Sequence, residues 1–263
     1  RDIYKLAKYA NSKNLDVRLN TNGSLTDQQS VKQMKGIIDN VLIPIESYTA
    51  KKEAEITGYK ISLKRKIKAI RLLKGAGIPM VRVGTVAIED NIINFDKIAR
   101  LVTNLPIDEW ELYRPIPIAN NQQLSSKLID ILVDKLISIK RETGRTVFIA
   151  NALPFCAGSD LNKINSVSQG ALSDDGHSRI VIDPRGFAKP HYFMDENLGD
   201  PRDILSCWNQ PFMKRMRNLE FLPEMCKQCN FKYKCCGGSR WASKLVNGSY
   251  NKLDPLASKI FKK

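Results

Sequence analysis

Four of the six cysteines in this 263-residue chain fall in one stretch, CKQCNFKYKCCGGSR, from Cys226 to Arg240. Cys226 and Cys229 stand two residues apart, Cys235 follows after five more, and Cys236 adjoins it. Thiolates at this spacing can reach one metal centre from a tight turn, and they suit tetrahedral zinc or the irons of a cubane cluster equally well. Spacing alone does not choose between them. Neighbouring side chains rarely reach the same cluster comfortably, which disfavours Cys236 as the fourth ligand. The preferred fourth ligand is Cys156, in LPFCAG, which is remote in sequence but flanked by a turn. Cys207, in ILSCW among apolar residues, reads as core packing. His177 and His191 are the two histidines, and a lone histidine is more often a surface or core residue than a ligand.

The setting supports a metal over a disulfide framework. No run of about 18 apolar residues appears, and the opening RDIYKLAKYANSKNLDV reads as an amphipathic helix without the apolar core of a signal peptide. The expectation is a soluble, cytoplasmic protein with no membrane span, where clustered cysteines bind metal or do redox chemistry. Lys and Arg number 42 against 27 Asp and Glu, a formal charge of +15. Such a balance suits nucleic acid, an acidic peptide or an anionic cofactor. The basic stretch KISLKRKIKAIRLLK at 60–74 has apolar positions Ile61, Leu63, Ile67, Ile70 and Leu73 at helical spacing, so it reads as a helix with a core face and a solvated basic face. Aromatic residues do not interleave with these charges, which argues against a single-strand nucleic-acid surface.

The elements that must carry these residues alternate. Helical patterns at about 2–13, 26–36, 60–74, 94–106 and 124–142 separate the strand-like runs LDVRLNTN, DNVLIPIES, MVRVGTVAI and DEWELYRPIPI. Four strands separated by helices make a βαβ series, and hence an α/β fold with a parallel sheet or barrel. From about residue 145 the composition changes to short strand-like pieces (146–150, 178–183), a DPRG turn at 183–186, and 203–219, helical in two pieces around Pro211. The expected division is therefore 1–144 and 145–263. Chemistry in a parallel sheet sits beyond the carboxyl ends of its strands. That rule selects NTNG (20–23), IES (45–47), Arg82 with Thr85, and YRP (113–115). Each also has an ordinary reading as a turn, a helix cap or an ion-pair partner.

The half-barrel with NTNG, IES and EITG, followed by CAG, IDPRGFAKPHY, the CxxCxxxxxCxGG run and NGSYNKLDP, resembles radical S-adenosylmethionine enzymes with a C-terminal auxiliary-cluster domain of the SPASM or twitch type. The resemblance runs from about residue 1 to Pro255. It implies a partial (β/α) radical SAM barrel followed by a small cysteine-rich α+β domain. It implies reductive cleavage of S-adenosylmethionine on a 4Fe-4S cluster, a 5'-deoxyadenosyl radical, a peptide or protein substrate, and a reductant such as flavodoxin or ferredoxin. By the same resemblance Asn20, Asn22, Ser47, Arg82 and Arg114 would lie along the face receiving S-adenosylmethionine and substrate. Cys156, Cys226, Cys229 and Cys235 would hold an auxiliary 4Fe-4S cluster.

The departures shape the expectation. The family's CxxxCxxC loop and its GGEP-like stretch have no counterpart in this sequence. The catalytic cluster is therefore expected outside it, in a longer enzyme of which this is a fragment. His191, Ser239 and Leu256 stand where a two-cluster version would have cysteines, leaving thiolate for one auxiliary cluster, with His191 as a weaker alternative ligand. Two other readings are a zinc-stabilised nucleic-acid-binding module, which metal identity would separate, and a catalytically inactive partner subunit. The bond made or broken and the oligomeric state are not legible.

Overall fold

A computed structural model describes residues 2–59, 63–116, 124–171 and 176–257. The expected positions Ile61 and 117–118 lie outside the described residues. The chain forms two compact units, 1–113 with 135–148, and 114–134 with 149–263.

Unit 1 is built on a five-stranded sheet whose spatial order is its chain order: β1 (Arg18–Asn20), β2 (Asn40–Pro44), β3 (Met80–Val86), β4 (Glu109–Tyr113) and β5 (Thr146–Ile149). β1 to β4 pair in parallel, with Leu42 beside Arg82 and Gly84 beside Glu111. A strictly sequential parallel order, with a helix in every connection, is the wall of a (β/α) barrel and not a doubly wound sheet. The helices are α1 (Ile3–Asn11), α2 (Gln28–Met34), α3 (Ala50–Thr57), α4 (Leu63–Gly75), α5 (Glu89–Ile93), α6 (Phe95–Thr103) and α7 (Ser126–Thr143), the last contributing to both units. The expected helices and the first four strands are present. The piece at 146–150, expected beyond the sheet, is instead its fifth strand; Thr49, read as a possible helix cap, caps α3, whose extent was not assigned, and α5 was not anticipated.

The two faces of the sheet differ in chemistry. Val41, Ile43, Val81, Val83 and Leu112 are fully buried, and α4 packs on β2 and β3 from that side with Ala69, Ile70 and Leu73 buried. Phe95 of α6 stacks on Trp110 at 5.1 Å between centroids. The alternate positions, Asn20, Asn40, Leu42, Arg82, Gly84, Glu111 and Tyr113, share the other face by parallel register.

Unit 2 holds short elements: β6 (Val181–Ile182) antiparallel to β7 (Ala188–Lys189), and helices α8 (Leu161–Val167), α9 (Ile204–Trp208), α10 (Pro211–Arg217), α11 (Glu224–Lys227), α12 (Lys232–Cys235) and α13 (Arg240–Asn247). Pro211 opens α10, where its missing N–H costs nothing. The DPRG turn closes with the Gly186 N–H donating to Asp183 O at 2.9 Å. Among the described residues, no helix is long and apolar enough to cross a membrane.

Candidate metal centre and sheet-edge site

At the carboxyl end of β1, the NTNG turn is fixed by packing. Gly23 has φ +74°, and a Cβ there would press at 3.3 Å against Ala69 Cβ and Ile43 Cδ1, so the turn lies directly on α4. Asn22 Oδ1 accepts the Ser24 N–H at 3.0 Å, an Asx turn. After β2 the chain is held by one buried carboxylate. Glu53 Oε2 accepts the N–H groups of Glu46 (2.8 Å) and Ser47 (2.7 Å), while Glu53 Oε1 pairs with Lys66, and both charged side chains are buried. Glu46 Oε2 in turn accepts the Val86 N–H at 2.8 Å, tying the ends of β2 and β3 together. Burial is the main reason the Glu46 carboxyl is pushed up to about 7; the Glu53 charge adds to it, while the Val86 N–H and the Lys66 charge oppose it.

On the polar face, Arg82 donates from Nε to Asn40 Oδ1 at 2.6 Å and pairs through Nη1 with Glu111, which also accepts from the Tyr113 hydroxyl. Burial, reinforced by repulsion from Glu111, raises the Glu109 carboxyl on the same strand. Asn20 and Arg82 thus share one sheet face, Arg82 in mid-strand and not at a strand end, while Asn22 and Ser47 sit in the edge loops. Arg114 belongs to unit 2. Its Nη1 donates to Asp254 Oδ2 at 2.7 Å and to Ala152 O at 3.0 Å, an ion pair almost wholly buried. Glu46 falls within the selected IES run, but sequence reasoning missed its neighbours Glu53 and Lys66, which meet it only in three dimensions. The alternation Glu109-x-Glu111-x-Tyr113 was a readable sign that all three share a face.

In unit 2, Cys156, Cys226, Cys229 and Cys235 line one pocket, with Phe155, Leu161 and Met225 among its apolar walls. Cys156 rides on a 3-10 turn, Phe155–Ala157, packed edge-on through Phe155 to Phe231. Cys226 and Cys229 belong to one turn, closed by the Cys229 N–H donating to Cys226 O at 3.2 Å. Cys235 ends α12, and Cys236, Gly237 and Gly238 follow with φ of 49°, 72° and 79°. A Cβ on Gly238 would stand 2.6 Å from Asp254 Oδ2. That oxygen also accepts the Ser239 N–H at 2.8 Å, which is why the two glycines and the LDP segment belong together.

Burial raises three of the thiols. Cys156 is pushed up to about 12 by burial and then by the negative charges of Cys235 and Cys226. Cys226 is pushed up to about 11 by burial, with Arg240 opposing. Cys235 is raised by burial, against N–H groups of Phe155, Gly237 and Gly238 directed at its sulfur. Thiolates here need a cation to be stable. The donor set is all sulfur, which is soft and fits iron-sulfur or zinc chemistry. Among the described residues, no three Cys, His, Asp or Glu side chains converge closely enough to hold a single metal ion. One zinc would need its sulfurs about 3.8 Å apart, given a Zn–S bond of about 2.3 Å.

The remaining cysteines face elsewhere. Cys207 packs with Ala188, Leu198 and Met213. Cys236 packs with Ala152 and Ala171 and lines a different cavity, together with His177. The His191 ring packs against Phe193 and Trp241.

Comparison with known proteins follows the same lines. Residues 1–102 match the Radical SAM superfamily model. The PqqA peptide cyclase of Gluconobacter oxydans is 22% identical over 269 residues, covering 98% of this chain and 73% of that protein. Among solved structures, anSMEcpe with bound AdoMet superimposes with a TM-score of 0.70 at 17% identity, covering 98% of this chain and 75% of the other. SuiB of Streptococcus suis bound to S-adenosylmethionine gives 0.72 at 13% identity, covering 97% and 62%. Residues 1–102 thus resemble the radical SAM superfamily in sequence, and the fold is shared along nearly all of the chain with anSMEcpe and SuiB.

Proposed function

We propose that this chain supplies the substrate-facing sheet and an auxiliary-cluster unit of a cytoplasmic radical enzyme that modifies a peptide. The observation that carries the reading is the pocket lined by Cys156, Cys226, Cys229 and Cys235, in a chain whose first 102 residues are radical SAM. Peptides enter through the relatives: one is a PqqA peptide cyclase, SuiB has been solved with the precursor peptide SuiA, and anSMEcpe with the Cp18Cys peptide. We assign the sheet to the 1–144 part and the thiol pocket to a SPASM- or twitch-like part over 145–263.

No cysteine lies before Cys156. The thiolate ligands of the cluster that cleaves S-adenosylmethionine are therefore not in this stretch. What the chain's own residues do is position and shield. Arg82, Asn40, Glu111 and Tyr113 form a fixed array of donors and acceptors on the polar sheet face, where Asn20 also lies. Such an array binds and orients polar groups of S-adenosylmethionine or substrate without reorganising. Glu53 and Lys66 hold the Glu46-Ser47 loop at the strand ends. In unit 2, Arg114 clamps the Ala152 and Asp254 segments beside the thiol pocket. When bound there, an auxiliary 4Fe-4S cluster would serve as an electron relay, its reduction potential set by N–H donors such as those at Cys235 and by burial.

The test is ligand substitution followed by absorption and metal analysis under nitrogen. Replacing Cys229 or Cys156 by Ala is expected to remove most iron and the thiolate-to-iron absorption, with the fold retained by circular dichroism. Replacing Cys207 by Ser is expected to leave both in place. Unchanged iron and absorption in the Cys229→Ala protein would refute the ligand assignment.

A further inference from the structure

The outer flank of α4 carries three cations without an ion pair among the described residues. The helix buries Leu63, Lys66, Ala69, Ile70 and Leu73. The adjoining stripe, at i, i+3, i+4, i+7 and i+8, is Lys64, Ile67, Lys68, Arg71 and Leu72, and these five line an open groove of about 460 Å³. Lys64, Lys68 and Arg71 are exposed, while Ile67 and Leu72 are half-buried. Some other cations of unit 1 have acidic partners: Lys52 with Glu55 and Asp90, Lys74 with Asp108, Lys135 with Asp96. Among the described residues, Lys64, Lys68 and Arg71 have neither an ion pair nor a hydrogen bond.

What sets this stripe apart from an ordinary solvated face is that half-buried Ile67 and Leu72 lie among its cations. Three like charges within two turns repel one another, and an apolar strip running between them keeps hydrocarbon in water. A ligand carrying both negative charge and apolar side chains relieves both costs at once. We propose that this groove docks an acidic amphipathic segment of the peptide the enzyme modifies, carboxylates meeting Lys64, Lys68 and Arg71, and apolar side chains covering Ile67 and Leu72. The inference rests on the peptide-modifying function given above. Recognition at helical spacing by a groove is a common mode, and the charged rim sets encounter rate and specificity. Charge complementarity selects an acidic occupant for a chain of net +15. The apolar floor favours a peptide over a phosphate backbone, which has nothing to place on Ile67 and Leu72.

Fluorescence anisotropy tests this with a labelled synthetic peptide carrying Glu and Leu at helical spacing, and with its counterpart in which Lys replaces Glu. The protein is expected to bind the acidic probe, more weakly as salt rises. K64E/K68E/R71E is expected to lose at least about tenfold in affinity for it and to gain the basic probe. The milder K64Q/K68Q/R71Q should move in the same direction, and I67S/L72S should weaken binding while leaving the salt dependence intact. The charge substitutions are at exposed positions and Ile67 and Leu72 are half-buried, and circular dichroism verifies the fold of each variant. Unchanged binding of the acidic probe by the two triple variants would overturn the proposal. So would equal or tighter binding of a single-stranded oligonucleotide that the charge reversal abolishes, which would mark a phosphate surface. The assay needs neither cluster nor turnover. Failure of the peptide-modifying function, seen as no mass change in peptides offered to the complete enzyme, is therefore a separate result.

Discussion

At the scale of single residues, the strongest chemistry lies in groups whose charge is costly where they stand. The pocket cysteines are one case. The raised Cys156 and Cys226 thiols mean that metal binding must release protons, so cluster loading should weaken as pH falls. Glu46 is another. Its carboxyl, raised from 4.5 to about 7, binds a proton in the folded state where the unfolded chain has lost it. The stability this contributes is fully present below about pH 4.5 and is lost as pH rises through about 7. The difference in unfolding free energy between the wild type and Glu46→Gln, from urea midpoints across that window, should therefore shift against the wild type by up to about 3 kcal/mol. A pH-independent difference would contradict it. The cysteine spacing was legible in sequence because ligands on one turn are local. The Glu46, Glu53 and Lys66 group was not, because its partners come from a loop and two helices, and no local pattern records that they meet.

Among elements, the βαβ rhythm carried through to β4 because each apolar run is flanked by a strongly amphipathic helix. β5 was assigned elsewhere since its four residues follow the long α7 with no further helix of comparable length behind them. α5 escaped, and of α3 only the Thr49 cap was read, because each is short, five and eight residues, and α3 is polar apart from its packing on α4. What holds α3 to α4 is the buried Glu53–Lys66 pair. Replacing Lys66 by Met leaves the Glu53 carboxylate buried without its partner, and should lower stability by about 3–5 kcal/mol. Adding Glu53→Gln to it should recover part of the loss, since a neutral amide oxygen can still accept from Glu46 and Ser47. Chemical denaturation of the two proteins reads this directly, and a double variant less stable than Lys66→Met would contradict it. In unit 2, Gly238→Ala combines φ +79° with a Cβ 2.6 Å from the Asp254 carboxylate. It should cost about 1–3 kcal/mol and loosen the turn that carries Cys235, seen as a lowered Tm and lower iron content. A protein with unchanged Tm and iron would show the turn to be more forgiving than its geometry.

For the whole molecule, two compact units carry the sequential parallel sheet and the thiol pocket, and residues 1–102 match the Radical SAM superfamily model. The α/β class was legible from periodicity, and the gathering of Cys226, Cys229 and Cys235 at one pocket from their spacing. The use of Arg114 was not, because pairing with Asp254 joins positions 140 residues apart. The measurement that bears most directly on the account is iron, acid-labile sulfide and zinc per chain, on protein prepared without oxygen. The account predicts about four irons with matching sulfide and little zinc, since a cubane cluster held by four thiolates has that composition. About one zinc with no sulfide would contradict it and make the cysteine pocket a structural zinc site.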